Sequence, residues 1–368
     1  MWKKFLCTLL LLSLITTFVV PAFASVVDFR IRTEAHLAQP NDLRVCSGNQ
    51  TDPKPPKPPK PPKPTKTIVD IRNIPPRATV YSDVLIVARV TGTFGKVVYQ
   101  IDDGPEYSMT GRTGELFHAS WDTTKASAGT HTLYVKARRQ NSTVVLAYDS
   151  VRVTVVTSYR WQLYYEIDYM AGHEPSQVVL DYMQSYWKGH AIEVSFLVDD
   201  LVSDPTPDDE IITEEDFWKI EEIYNGGNDR AQDNTDTDGD RRDKEYFLKE
   251  KWMLYGTWDN DTNVGGYTWT VPSGKGYLAG NYIFIADAMI DDWEAKNGIS
   301  NDGGEAVVVC HEAGHSIGIG VRKNKSESYD PDKYSIMSEM RLENAKYIAP
   351  YWYYSKEYWR TAMLKYYT

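Results

Sequence analysis

Short runs of β-branched and aromatic residues, separated by turn residues, fill the chain between positions 67 and 156: TIVDI, VLIVARV, KVVYQI, HTLYVKA, VVLAY and VRVTVV. Runs of this kind, recurring every roughly 8 to 15 residues, predict a β-sandwich of about seven strands. From about position 157 the pattern changes and strands alternate with helices. WQLYYEIDYM reads as a strand. Residues 175–187 read as a helix with His173 or Glu174 near its start and with Val178, Val179, Tyr182 and Met183 at helical spacing. AIEVSFLV reads as a second, buried strand and NYIFIADAMI as a third, entered through the glycine-rich stretch 274–280. A strand placed directly before a functional helix is positioned to accept an extended peptide backbone by strand addition. Residues 199–245 are acidic and turn-rich around one helical stretch, 214–224, and read as an insertion.

The predicted fold class is therefore multidomain, an all-β sandwich followed by an α/β (α+β) domain. The boundaries are 1–24, a signal peptide; 25–52, an N-terminal segment of unassigned role; 53–66, a linker; 67–157, the sandwich; and 158–368, the α/β domain. The signal reading rests on Lys3 and Lys4, an apolar run over 5–20 and the small-residue site Ala22-Phe23-Ala24. It implies a secreted, extracellular protein with no stable membrane span once the signal is removed. The linker repeats Lys-Pro-Pro, which removes the backbone donors that helices and sheets need and leaves a stiff polyproline II spacer. With three residues per turn, Lys54, Lys57, Lys60 and Lys63 stack along one edge. That edge is a candidate contact for an anionic cell wall or glycan, against the plainer reading of a solvated spacer.

The chain has 368 residues and a formal charge of -11, which argues against nucleic acid as a partner because phosphate binding needs a basic surface. Only Cys46 and Cys310 lie outside the signal, too few for a disulfide framework. Cys310 is expected to be a small buried hydrophobe, and Cys46 is a remote candidate for capping a metal from a propeptide. Trp121 is assigned to core packing in preference to a surface anchor. Asn49, Asn141, Asn260 and Asn324 begin N-x-S/T sequons. The C-terminal stretch YIAPYWYYSKEYWRTAMLKYY has Tyr and Trp at helical spacing and is expected to pack as a terminal helix.

The chemistry concentrates in residues 304–320, GEAVVVCHEAGHSIGIG, an apolar helix that carries His311, Glu312 and His315. Four positions make about one helical turn, so the two imidazoles project from one face and can share one ion. Zinc suits such ligands, and a carboxylate beside it can move a proton as general base. Gly318 and Gly320 allow a sharp turn after the helix. A chain with this motif is expected to be a secreted zinc-dependent hydrolase acting on a polypeptide substrate.

Further on, Met337 lies in YSIMS. With H-E-x-x-H continuing to Gly318, this region resembles the metzincin clan of zinc peptidases, whose signature is H-E-x-x-H-x-x-G-x-x-H followed by a Met-containing turn. The resemblance spans 158–368, with its motifs within about 305–338. It implies Met337 as the turn methionine, Zn2+ as cofactor and peptide-bond hydrolysis. The third histidine of that signature is replaced by Val321. The loop beyond it offers Glu327, Tyr329, Asp330 and Asp332; Asp330 is the preferred third ligand and Asp332 the next. The strands of 67–157, through GTHTLYVKARRQ and DSVRVTVV, resemble the Ig-like modules appended to secreted prokaryotic enzymes, a likeness that implies a spacer or adhesion role.

Residues 234–245, NTDTDGDRRDKE, fit the calcium-loop template, with Asn234, Asp236, Asp238, Asp240 and Glu245 as candidate Ca2+ ligands around Gly239. The alternative is a solvated acidic turn. Two other function classes stay open at this point: an inactive zinc-binding adhesion protein and a zinc amidase acting on a non-peptide substrate.

Overall fold

A computed structural model describes residues 65–111, 115–203, 205, 211–224, 250–258, 265–269, 280–299, 302–320, 330–338, 352–360 and 362. The signal-like segment, Cys46, the Lys/Pro linker, the candidate calcium loop and residues 321–329 lie outside these.

Nine strands form the sandwich: β1 (Ile68–Ile71), β2 (Ala78–Val80), β3 (Asp83–Thr91), β4 (Lys96–Ile101), β5 (Glu106–Ser108), β6 (Thr110–Gly111), β7 (Leu116–Asp122), β8 (Gly129–Arg138) and β9 (Val145–Val155). They make two sheets, β1-β3-β7-β6 and β2-β9-β8-β4-β5. Val84, Ile86, Ala88 and Val90 of one sheet meet Leu133, Val135, Val151 and Val153 of the other in a shared core. Trp121 belongs to that core at 7% exposure, so packing is its main role. VVLAY and VRVTVV, expected as separate strands, are one strand: β9 pairs with β8 from Gly129↔Val155 to Arg138↔Val145. The polar Asp149 and Ser150 that suggested a break lie inside it, and Asp149 Oδ2 accepts the Ile71 N–H at 2.9 Å.

The second domain carries β10 (Trp161–Met170), α1 (Gln177–Lys188), β11 (Ile192–Val202), α2 (Glu214–Tyr224), β12 (Glu250–Gly256), β13 (Gly266–Trp269), β14 (Tyr282–Ala286), α3 (Asp287–Asn297), α4 (Gly303–Ser316) and a short α5 (Lys356–Trp359). Its sheet runs β11-β10-β12-β14-β13, with the first four strands parallel and β13 antiparallel to β14 at the edge. One face packs on α1 and α4 through Leu163, Tyr165, Ile167, Met253 and Ile283. The other packs on α2 through Trp252, Leu254, Phe217 and Phe284.

Three expectations change. NYIFIADAMI is not one strand: β14 ends at Ala286, and Asp287 opens α3, which Gly298 closes at φ 66°. Because β14 is paired on both sides, it cannot take an added peptide strand; among the described strands the sheet's edges are β11 and β13, and β13 is the one paired with β14. On α1 the buried stripe is Val179, Leu180, Met183, Tyr186 and Trp187, whereas Val178 is 58% exposed.

The middle of strand β3 is buried on both faces, although Asp83 and Arg89 are exposed. Its Val87, with Leu85 partly buried, turns away from the sandwich into the core of the α/β domain, where Leu116 of β7 joins it. Two ion pairs cross the same junction, Arg72 to Asp332 and Lys356 to Asp70, and the Lys356 N–H donates to the Arg72 carbonyl at 2.6 Å. The sandwich thus shares hydrophobic core with the α/β domain, a closer association than a spacer requires.

Candidate metal centre

Helix α4 forms because its first turns are apolar and its start is capped from outside. Glu294 of α3 accepts the Gly304 N–H, and the Glu305 N–H at 3.3 Å, satisfying donors that a helix N-terminus leaves open. Every residue of the helix is buried. At its C-terminal end, Gly318 and Gly320 adopt φ of +87° and +75°, the left-handed region glycine enters freely. A Cβ on Gly320 would sit 2.9 Å from Met337 Cε and 3.4 Å from His315 Cε1, so the methionine, the histidine and this turn pack against one another.

His311 and His315 are 1% and 5% exposed, and their rings meet nearly edge to face at 84°. Each donates through Nδ1 to a backbone carbonyl: His311 to Ile336 O and His315 to Ile319 O, both at 2.9 Å. A neutral imidazole that donates through one nitrogen accepts through the other. Both Nε2 lone pairs therefore point inward, 3.1 Å apart. Two ring nitrogens so placed can be bridged by one cation. A tetrahedral zinc about 2.0–2.1 Å from each nitrogen would set them about 3.3 Å apart, so the pair suits such an ion as two of its ligands.

Glu312 is 3% exposed, and its Oε1 lies 3.9 Å from His311 Nε2. Its Oε2 accepts a hydrogen bond from Thr268 Oγ1 at 2.8 Å, and the same hydroxyl lies 3.0 Å from the Glu312 carbonyl. Thr268 lies on edge strand β13, and Gly266, two positions earlier on the same face, leaves room for the carboxylate arm. A Cβ on Gly266 would be 2.8 Å from Glu312 Cγ and 2.9 Å from the Phe284 carbonyl. Neither Thr268 nor Gly266 was singled out from sequence. The available signal was the alternation G-Y-T-W, which sends Gly266 and Thr268 to one face and Tyr267 and Trp269 to the aromatic cluster on the other.

Met337 is fully buried in the 330–338 turn. The turn is closed by the Asp330 N–H to the Met337 carbonyl at 2.8 Å, and its Ile336 carbonyl is the one that holds His311. Asp330, expected as the third ligand, is not brought to the histidines. Its Oδ1 accepts the Asp332 N–H at 2.9 Å in a local turn, its Oδ2 is sealed from solvent, and burial makes its carboxyl harder to ionise. Asp332 is engaged by Arg72 and by Tyr353 OH at 2.9 Å. Among the described residues no third His, Cys, Asp or Glu completes a group with the pair. Val321, Glu327 and Tyr329 lie outside them, as do all five candidate calcium ligands. Cys310 is fully buried, which pushes its thiol well above the ordinary range, and its carbonyl accepts from Tyr354 OH.

At the opposite end of α4, Glu305 stands in an acidic setting that sequence reading did not register. Burial, and then the neighbouring Asp287, push its carboxyl up to about 8. His173, read from sequence only as lying near a helix start, bridges this region, with Nδ1 3.1 Å from Asp287 Oδ2 and Nε2 3.2 Å from Thr257 Oγ1.

No family model matches the chain, and no curated protein sequence matches it. Among solved structures, metalloproteinase-II from Bacteroides fragilis is a distant neighbour at 10% identity and TM-score 0.32, covering 81% of this chain and 86% of that one. Fibronectin(III)-like modules of Clostridium thermocellum CbhA are 19% identical with TM-score 0.18, over 24% of this chain and 98% of theirs. An endo-beta-1,4-mannanase from Thermotoga petrophila is 17% identical with TM-score 0.23, and this chain spans only 20% of its length, over 26% of its own. These are faint likenesses, and the functional argument rests on the residues.

Proposed function

We propose that this chain is an exported, zinc-dependent endopeptidase with His311 and His315 as metal ligands and Glu312 as general base. The observation that carries the reading is the pair of buried imidazoles whose Nε2 atoms face each other at 3.1 Å while both Nδ1 atoms are held by carbonyls. Zinc bound there would supply Lewis acidity toward a carbonyl oxygen. Glu312, oriented by the Thr268 hydroxyl, would take the proton of an attacking water and return it to the departing amine. An extended polypeptide would pair with the edge of β13, which runs beside Glu312 and is the one end of the sheet next to the helix.

The test is zinc content of the purified full chain together with casein or gelatin turnover. About one zinc per chain is expected, with turnover falling by about a thousandfold in Glu312→Gln while zinc is retained. A chain that holds no zinc, or whose turnover survives Glu312→Gln, removes the proposal.

A further inference from the structure

We propose that Arg72, the residue directly after the first sandwich strand, is a positioning residue for the metal ligand His311. The inference rests on the zinc reading above and adds that the sandwich sets the geometry of the site.

The connection can be followed atom by atom. Arg72 leaves β1 with its own N–H donating to Val87 O at 2.8 Å, so its backbone is tied to β3. Its guanidinium crosses the junction and gives Asp332 Oδ2 two hydrogen bonds, one from Nε at 2.9 Å. The side chains are 23% and 8% exposed, so solvent screens this pair little. Tyr353 OH donates to the same oxygen at 2.9 Å, and the Tyr353 carbonyl accepts the Ile336 N–H at 2.8 Å. The Asp332 carbonyl accepts the Ser335 N–H at 2.8 Å. Both routes converge on residues 335 and 336, and Ile336 supplies the carbonyl that fixes the tautomer and tilt of His311. Groups that hold the far nitrogen of a ligand histidine govern its orientation.

The junction offers a control. Lys356 pairs with Asp70, which also accepts from Arg72 Nη1 at 2.6 Å, so this ion pair stands one step further from Asp332 than Arg72 does. Removing it costs an ion pair between the same domains without loosening the Ile336 carbonyl.

The experiment uses the full chain as wild type, Arg72→Met, Arg72→Lys and Lys356→Met. Zinc affinity is read by competition with a chromophoric chelator, and the ligand field by the visible spectrum of the cobalt-loaded forms. Arg72→Met is expected to weaken zinc by about tenfold and to shift the cobalt bands. Arg72→Lys, which keeps the charge but not the fork, is expected to recover part of both, and Lys356→Met to stay within about twofold of wild type. Should Arg72→Met fail to fold, the Arg72→Lys and Lys356→Met pair carries the comparison. Equal affinity and identical spectra in the Arg72 and Lys356 variants, with wild type loaded, overturn this inference and leave the peptidase reading standing. A wild type that binds no zinc removes that reading first.

Discussion

The two ends of helix α4 both bury ionisable side chains, yet by opposite means. Near the C-terminal end, each group has a fixed partner: His311 and His315 donate to carbonyls, and Glu312 accepts from Thr268. Near the N-terminal end, Glu305 accepts from the Ser176 N–H at 3.4 Å but also faces other carboxylates, and burial followed by Asp287 drives it toward the protonated form. Polar groups that are oriented cost the fold little and can act on a ligand, whereas a carboxyl crowded by its own kind holds a proton and costs stability when forced to release it. The helix therefore separates a prepared end from a strained one.

The comparison can be broken most sharply at Gly266. Gly266→Ala puts a methyl against Glu312 Cγ and against backbone, so strand or carboxylate must move. We expect a kcat loss of about a hundredfold and a stability loss of about 1–3 kcal/mol, read from turnover and urea unfolding. Unchanged turnover would show that Glu312 needs no fixed seat. Thr268→Val removes one hydrogen bond to the carboxylate without changing shape much, and kcat/KM should fall about tenfold with zinc content unchanged.

The smallest effect belongs to the other end and should appear in stability, not turnover. Because the Glu305 pKa of about 8 in the fold exceeds its ordinary value of 4.5, the folded state holds a proton the unfolded chain releases between those pH values. Its contribution is intact below about pH 4.5 and is lost as pH rises toward 8. Glu305→Gln should stabilise the protein by at least about 1 kcal/mol near pH 8, with little gain near pH 4.5. Parallel urea curves for the two forms at both pH values would refute the strained-end account.

Much of the fold was readable because burial leaves a period in the sequence. WQLYYEIDYM matches β10, KVVYQI matches β4 and residues 214–224 match α2. Where reading failed, competing forces had blurred the period. Strand β12 was overlooked although it lies between β10 and β14 at the centre of the sheet. Its apolar run is only Trp252 to Tyr255, preceded by the charged Glu250 and Lys251, and that lysine is buried against Asn281 Oδ1 at 2.7 Å. The near-continuous VLIVARV of β3 did carry the signature of a strand covered on both sides, but only the neighbouring domain explains what covers its second face.

The sequence by itself determined the helix that carries two histidines one turn apart, the glutamate between them and the glycines that end it, because these follow from local periodicity and from backbone conformations open only to glycine. Tertiary structure alone decided that Thr268 and Gly266 seat the glutamate, that Ile336 and Ile319 orient the rings, and that Asp330 and Asp332 are spent on a turn and a domain junction. Apart from Ile319, four residues past His315, and the local Asp330–Asp332 turn, those partners come from distant parts of the chain, and residue type and spacing carry no record of which side chain the folded backbone brings within hydrogen-bonding distance of which.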